Sequence, residues 1–337
     1  MAGGTVTAKL LCQAGDPEWL ELRRTGITAS DLPVILGLVS WDSPWALYHR
    51  KRGLLPEQEQ TDRMRLGSWL EVSIATAWGQ QHGILNMWEY KGEALYQNED
   101  RPWQMATPDV VLPDAVLECK TATSRDGWGD TGTADVPAYV RAQVLWQMDT
   151  LGVDTGHVAV CFLPSGEFRS YTITHEDGCK AHRPETTVSC LVCIDIAAQR
   201  EAGLEFYRRI TGELPAPPVD GLTVTTKALQ AVYAGLDDTQ TAELLPGFVT
   251  TWENTRAAYR DAERAKTEAD NYIREAMGTA ATGTLDGKPV LRRQIGKRAG
   301  YEVPPGVTDK LVRIKDKGDK SPDEQVRDSL RDLRDER

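Results

Sequence analysis

Residues 101–121, RPWQMATPDVVLPDAVLECKT, constrain this chain more than any other stretch. Two β-rich runs flank a Pro113-Asp114 pair, a combination that predicts a hairpin. Side chains alternate in direction along a strand. Leu117 and Cys119 therefore turn to one apolar face, and Glu118 and Lys120 to the other. Asp109, beside Pro108 near the end of the first strand, is carried by the hairpin toward Glu118 and Lys120. Two carboxylates and an amine over one patch of sheet suit phosphodiester hydrolysis. Hard oxygens hold Mg²⁺, the ion polarises the phosphate and activates water, and the lysine orients that water or offsets developing charge. A bare Glu-x-Lys is more often an ordinary surface pair. The Pro-Asp at hairpin distance makes the chemical reading the better one.

Two amphipathic helices are expected around this hairpin. Segment 62–82 places Leu66, Leu70, Ile74 and Ala77 on one stripe. Glu71 stands at its edge between Gly67 and Ala75, whose small size leaves room beside the carboxylate. In segment 137–151 Val140, Val144, Met148 and Leu151 form a core stripe, with Tyr139, Gln143 and Gln147 on another face. Amides turned toward the hairpin can hold a water or a phosphate oxygen.

Before the Pro/Gly-rich segment 214–221, helical and strand-like stretches alternate, which predicts a mixed α/β or α+β domain. The expected division is 1–217 for that domain and 222–337 for a mainly helical extension. In the extension, helices are expected at 225–245 and 248–278. The second has an alanine-rich stripe (Ala258, Ala262, Ala265, Ala269, Ile273, Met277) suited to close helix packing. A short hairpin with an Asp286-Gly287 turn follows at 283–293, and a capped helix begins at Ser321 with Pro322 and Glu324.

Net charge is −11 over 337 residues, but from Lys288 onward 14 Lys+Arg face 10 Asp+Glu. Net charge sets solubility and steering, and a local basic groove can still hold phosphates. The run Arg292, Arg293, Lys297, Arg298 and Tyr301 is a candidate backbone contact. No apolar run reaches membrane-spanning length and no signal-peptide core opens the chain. Six irregularly spaced cysteines argue against a secreted disulfide scaffold. A soluble protein of a reducing cytoplasm is expected. Cys179-x2-His182 and Cys190-x2-Cys193, inside an apparent insertion at 175–200, supply four ligands adequate for structural Zn²⁺. Burial of the two later cysteines on an apolar helix face is the competing reading.

Taken together, WLELRRTGITASD (19–31), SPWALYHRKRGL (43–54), LGSWLE (66–71), TPDVV (107–111), LECKT (117–121) and AYVRAQVLWQM (138–148) resemble the lambda-exonuclease or YqaJ-type viral recombinase family. That family lies within the PD-(D/E)xK nuclease superfamily. The resemblance covers roughly the first 210 residues. It implies a restriction-endonuclease-like core with a mixed central sheet flanked by helices. Glu71, Asp109 and Glu118, with the Cys119 carbonyl, would ligate Mg²⁺ (Mn²⁺ able to substitute). Lys120 would be the catalytic lysine and Gln143 the helix glutamine of the site. Arg23, Ser30, Thr107 and Arg125 would receive a 5′-phosphate, a dianion that an arginine fork and hydroxyls bind well. Trp19 would either pack on the DNA end or lie in the core. The implied activity is 5′-to-3′ digestion of double-stranded DNA ends, leaving 3′ tails for a phage annealing protein, with a ring-shaped homo-oligomer as partner state. A repair endonuclease of the same core and a non-catalytic DNA-binding protein are the alternatives. Val110 follows Asp109 where relatives often have glycine, and Leu145 stands where a second glutamine is common. Neither removes a catalytic group.

Overall fold

The computed structural model describes residues 6–90, 92–176, 179, 189–235, 237 and 239–293. Elements run β1 (Lys9–Gln13), α1 (Trp19–Arg24), α2 (Leu32–Ile35), α3 (Pro44–Lys51), α4 (Asp62–Gln81), β2 (Ala94–Gln97), β3 (Met105–Ala106), β4 (Val110–Val111), β5 (Ala115–Ala122), α5 (Ala138–Leu151), β6 (Thr155–Phe162), β7 (Glu167–Thr174), α6 (Leu191–Ile210), α7 (Thr223–Val232), α8 (Pro246–Met277), β8 (Thr282–Leu285) and β9 (Lys288–Arg292). The chain divides into two compact units, Met1–Ala234 and Gly235–Arg337.

The first unit is the expected mixed α/β fold. Its main sheet has the order β4-β5-β6-β7. β5 and β6 run parallel over eight residue pairs, and the outer pairings are antiparallel. Parallel neighbours need a crossover, and α5 supplies it. Alternation along β5 assigns its faces. Leu117 and Cys119 pack with Ile74, Ala75 and Trp78 of α4, whereas Val116 packs with Val140 and Val144 of α5. All four members of the α5 core stripe are fully buried. On α4 the burial falls on Ile74, Ala75, Trp78 and Gly79, while Leu66 is exposed. Close approach of α5 to the sheet depends on Gly156, where a Cβ would meet Val144 Cγ1 at 2.3 Å. A second sheet, β1-β2-β3, is antiparallel throughout.

Two boundaries differ from expectation. α7 belongs to the first unit, since Val224, Ala228, Leu229 and Val232 pack with Trp45, Ala46 and Leu55 around α3. The Pro/Gly segment is thus a connection inside that unit, which ends at Ala234. From Leu191 the supposed insertion is α6, whose Val192, Cys193, Ile196 and Phe206 join the main core. α6 is tied to α5 by Arg141 Nη2 to Asp195 at 2.9 Å and Arg200 Nε to Asp149 at 2.8 Å.

The helix expected at 225–245 is α7, which ends at Val232 in the first unit; in the second unit Pro246–Met277 form α8. α8 buries none of its residues, so its alanine stripe is exposed. β8 and β9 pair as expected about Asp286 (φ 49°) and Gly287 (φ 77°). Two successive positive φ angles mark the turn type that suits the twist of a hairpin. Lys297, Arg298, Tyr301 and the Ser321 helix lie outside the described residues.

His157 on β6 is sensitive to acid. Its ring lies 4.9 Å from Trp78, which stacks on His82 at 4.1 Å. Burial, reinforced by His82 and opposed by Asp114, pushes its pKa down to about 4. Between pH 6.5 and 4 the unfolded chain protonates this ring and the folded chain does not. Stability therefore falls as pH drops through that window, by about 1–2 kcal/mol after screening at the ring's exposed edge. Thermal melts at pH 7 and 4.5 should show a smaller acid loss for His157→Gln than for the parent. Equal losses would refute the assignment.

Candidate active site

β4 covers only part of β5. The ladder holds Val110 against Leu117 and Val111 against Val116, and Leu112 N closes the turn on Ala115 O at 2.8 Å. One residue earlier the backbone carries Asp109, whose Oδ2 accepts a hydrogen bond from Cys119 N at 2.7 Å. A side chain thus takes the place of a ladder carbonyl, and β5 is open beyond that point. Gly92 sits against this corner. Its N donates to Asp109 O at 2.9 Å, and a Cβ there would lie 1.9 Å from Pro108 O.

Glu118 faces α5 and is 2% exposed. Gln143 Nε2 donates to its Oε1 and Gln147 Nε2 to its Oε2, each at 2.6 Å. Lys120 Nζ donates to Glu118 Oε1 and to Gln143 Oε1, the latter at 3.0 Å. Each Glu118 oxygen is satisfied, as a buried carboxylate requires. Burial alone would lower the Lys120 pKa, but Glu118 and then Asp109 outweigh it and hold the value above the ordinary lysine range. Lys120 is an ammonium, a donor rather than a base. Gln147, which the sequence placed on this face to hold a water or a phosphate oxygen, instead holds Glu118.

Glu71 comes from α4 to the same patch. It lines one cavity with Thr107, Asp109 and Glu93, and a neighbouring cleft with Gly67, Cys119 and Lys120. Burial, then Glu118 and Glu93, raise its pKa, with Lys120 opposing. Asp109 is pushed well above the usual carboxylate range by burial, then by Glu118 and Glu71. Carboxylates crowded closely enough to push Glu71 and Asp109 up form a site short of positive charge, and one ammonium does not supply it. The donors are hard oxygens. They fit a divalent cation that keeps part of its water shell. Glu93 has no sequence signal, since it stands in the connection before β2 and only the fold brings it here.

Thr107, which lines the same cavity as Asp109, connects this patch to Arg23 and Ser30. Arg23 donates to Ser30 Oγ at 3.2 Å and toward Thr107 Oγ1 at 3.4 Å, and Thr28 Oγ1 lies 3.1 Å from Ser30 Oγ. Three residues predicted from two separate motifs therefore meet. Trp19 packs with Cys12, Leu95 and Met105, as the core reading expects, and Arg23 sits 5.5 Å over its ring. The loop between Arg23 and Ser30 is braced from α3. Lys51 Nζ donates to Arg23 O at 2.7 Å and Gly26 O at 2.9 Å, and pairs with buried Asp31. Asp31 in turn accepts from Thr28 N and Oγ1 at 2.7 Å each.

Arg125 is the exception. It pairs with Glu167 and lies 5.4 Å over Phe162, a surface on β6 and β7 rather than the Arg23 pocket. Its guanidinium bonds to Glu167, 42 residues away, rather than to Arg23's partners Ser30 and Thr107.

A mixed sheet has Pro-Asp leading into its edge strand and Glu-x-Lys on the next, backed by a glutamine helix, the arrangement that the PD-(D/E)xK resemblance implies. A family model for the YqaJ-like viral recombinase domain matches residues 18–157, the stretch in which this chain resembles that family. It is 24% identical over 310 residues to the uncharacterized protein YqaJ of Bacillus subtilis (strain 168), covering 88% of this chain and 90% of that protein. Among solved structures, an alkaline exonuclease, LHK-Exo, from Laribacter hongkongensis is 18% identical. It covers 58% of this chain and 98% of its own, with a TM-score of 0.38. A phage-related exonuclease from Haemophilus somnus 129PT is 11% identical, over 58% and 99%, with a TM-score of 0.35. Among the described residues no helix is long and apolar enough to cross a membrane.

Proposed function

We propose that this protein is a Mg²⁺-dependent exonuclease that digests the 5′-ended strand of double-stranded DNA. The observation that carries the reading is the adjacency of two unlike sites. Thr107, which faces Arg23, is two residues from Asp109 and lines the same cavity as Asp109 and Glu71. A terminal phosphate held by Arg23, Ser30 and Thr107 puts the next phosphodiester beside the carboxylates, so attack begins at an end and proceeds 5′ to 3′.

Glu71, Asp109 and Glu118, with the Cys119 carbonyl, would hold the ion, and Mn²⁺ would substitute. Bound there, the ion would polarise the scissile phosphate and make water in the site a better nucleophile. Lys120 donates to the charge that grows on the phosphate oxygens. Gln143 holds Lys120 and Glu118 in register, and Gln147 fixes the second Glu118 oxygen. The product is a 3′ single strand, the substrate of a phage-type annealing protein in the host cytoplasm. A ring-shaped homo-oligomer would keep the enzyme on its track.

The test compares 5′-phosphorylated and 5′-hydroxyl linear duplexes with a closed circle, in Mg²⁺ and in chelator. The phosphorylated duplex should be digested about 10–100-fold faster, the circle left intact and chelated enzyme inactive. Arg23→Ala should erase most of the end preference while cutting continues. Nicking of the circle at the linear rate points to the repair endonuclease instead. Absence of cutting with any divalent ion points to a binding protein that kept the fold.

A further inference from the structure

Far from the carboxylates, four soft ligands converge where β7 hands over to α6. His175 directly follows β7. Cys190 caps α6, its Sγ accepting from Cys193 N, and Cys193 lies in that helix's first turn. Cys179 comes from the connection between them. The three cysteines are 1%, 3% and 7% exposed and form no disulfide. One ligand atom from each of the four residues lies within 4.8 Å of all the others. Sγ of Cys190 is 3.5 Å from that of Cys193, which is 3.8 Å from that of Cys179. His175 Nδ1 lies 3.5 Å from Cys190 Sγ and 3.3 Å from Cys193 Sγ.

We propose that His175, Cys179, Cys190 and Cys193 form a structural Zn²⁺ site. Zn–S near 2.3 Å and Zn–N near 2.0–2.1 Å at tetrahedral angles require ligand separations of about 3.8 Å between sulfurs and about 3.5 Å from sulfur to nitrogen. The four separations above lie within about 0.3 Å of that set, and the other two are at most 4.8 Å. An iron–sulfur cluster would interpose iron and sulfide between the thiolates and hold them further apart. Four protein ligands close the coordination sphere, which marks a structural rather than a catalytic ion. Binding releases the protons of whichever thiols are still protonated. The sequence nominated His182, which lies outside the described residues; His175 takes that place because the turn out of β7 sets its ring beside α6.

The ion would pin the end of β7 to the start of α6. α6 is bonded to α5 through Arg200–Asp149 and Arg141–Asp195, and α5 carries the glutamines that hold Glu118. The site is thus a brace for the core, and its existence does not depend on the nuclease reading.

Elemental analysis of the full-length protein tests this. About one zinc per chain should survive gel filtration with a chelator at a level that strips Mg²⁺, as expected for a closed tetrahedral site. Glu118→Gln should keep it, which separates this ion from any at the carboxylates. His175→Ala and Cys193→Ser should lose most of it and melt at lower temperature, whereas His182→Ala should retain it. Should these variants fail to fold, cobalt exchanged into the parent protein gives a second readout: intense tetrahedral bands with thiolate charge transfer support the site. Weak octahedral bands, iron with visible absorption, a parent free of zinc, or zinc lost from His182→Ala but kept by His175→Ala would each overturn the proposal.

Discussion

Lys120→Ala should slow duplex digestion about 10³-fold, the scale of losing one preorganised donor to transition-state charge, while duplex binding changes little. The asymmetry follows from where the ammonium sits. Lys120 spans Glu118 and Gln143 and opens onto the cleft that Glu71 and Gly67 line. It shares no hydrogen-bond partner with Arg23, the residue proposed to hold the DNA end. Removing it leaves Glu118 bonded to both glutamines, so the carboxylate remains anchored and the fold should hold. Single-turnover digestion of a labelled duplex, read beside binding measured with Ca²⁺ in place of Mg²⁺, separates the two effects. A variant that cuts at the parental rate would remove Lys120 from the chemistry and the Glu-x-Lys reading with it.

A loss of stability of similar size is expected from Lys51→Met. Its ammonium meets three acceptors, Asp31 and the carbonyls of Arg23 and Gly26, with almost no water nearby. Burial would raise the Asp31 pKa, yet Lys51 and then Arg23 hold it below the usual carboxylate value. Burial also draws Lys51 downward, with Asp31 opposing. The full set of acceptors favours the charged pair. Truncating one partner strands the other, at a cost of about 3–5 kcal/mol. Lys51→Met combined with Asp31→Asn should recover part of that. Denaturant unfolding of the three proteins gives the comparison, and a single variant within about 1 kcal/mol of the parent would show that the pair braces nothing. The Arg23 loop should also lose its end preference in Lys51→Met, because the motif around Lys51 supports the motif around Arg23.

What was legible in the sequence was periodic or local. Alternation along 115–122 placed Glu118 and Lys120 on one face, and the helical stripe of 137–151 placed Gln143 and Gln147 on another. The fold added that these two faces oppose each other. The Arg23–Ser30 spacing likewise described one loop, and Thr107 joined it only through the pairing of strands. Partners distant in sequence were illegible. Glu93 has no pattern around it, Arg125 takes Glu167 from a neighbouring strand, and His175 and His182 are both reasonable ligands by spacing to Cys179. The boundary was misplaced because proline and glycine at 214–221 mark a turn equally well within a unit and between units. It is the apolar face of α7 against Trp45 that decides.

The tight corner at Gly92 bears on how variation in such chains is interpreted. Any other residue there presses on the peptide that aims Asp109 and re-aims its carboxylate without deleting it. A survey of intolerant positions would group Gly92 with the acidic residues, although it has no side chain and takes no part in bond making. Constraint at that position records occupied space, and sensitivity to substitution is not by itself a mark of chemistry.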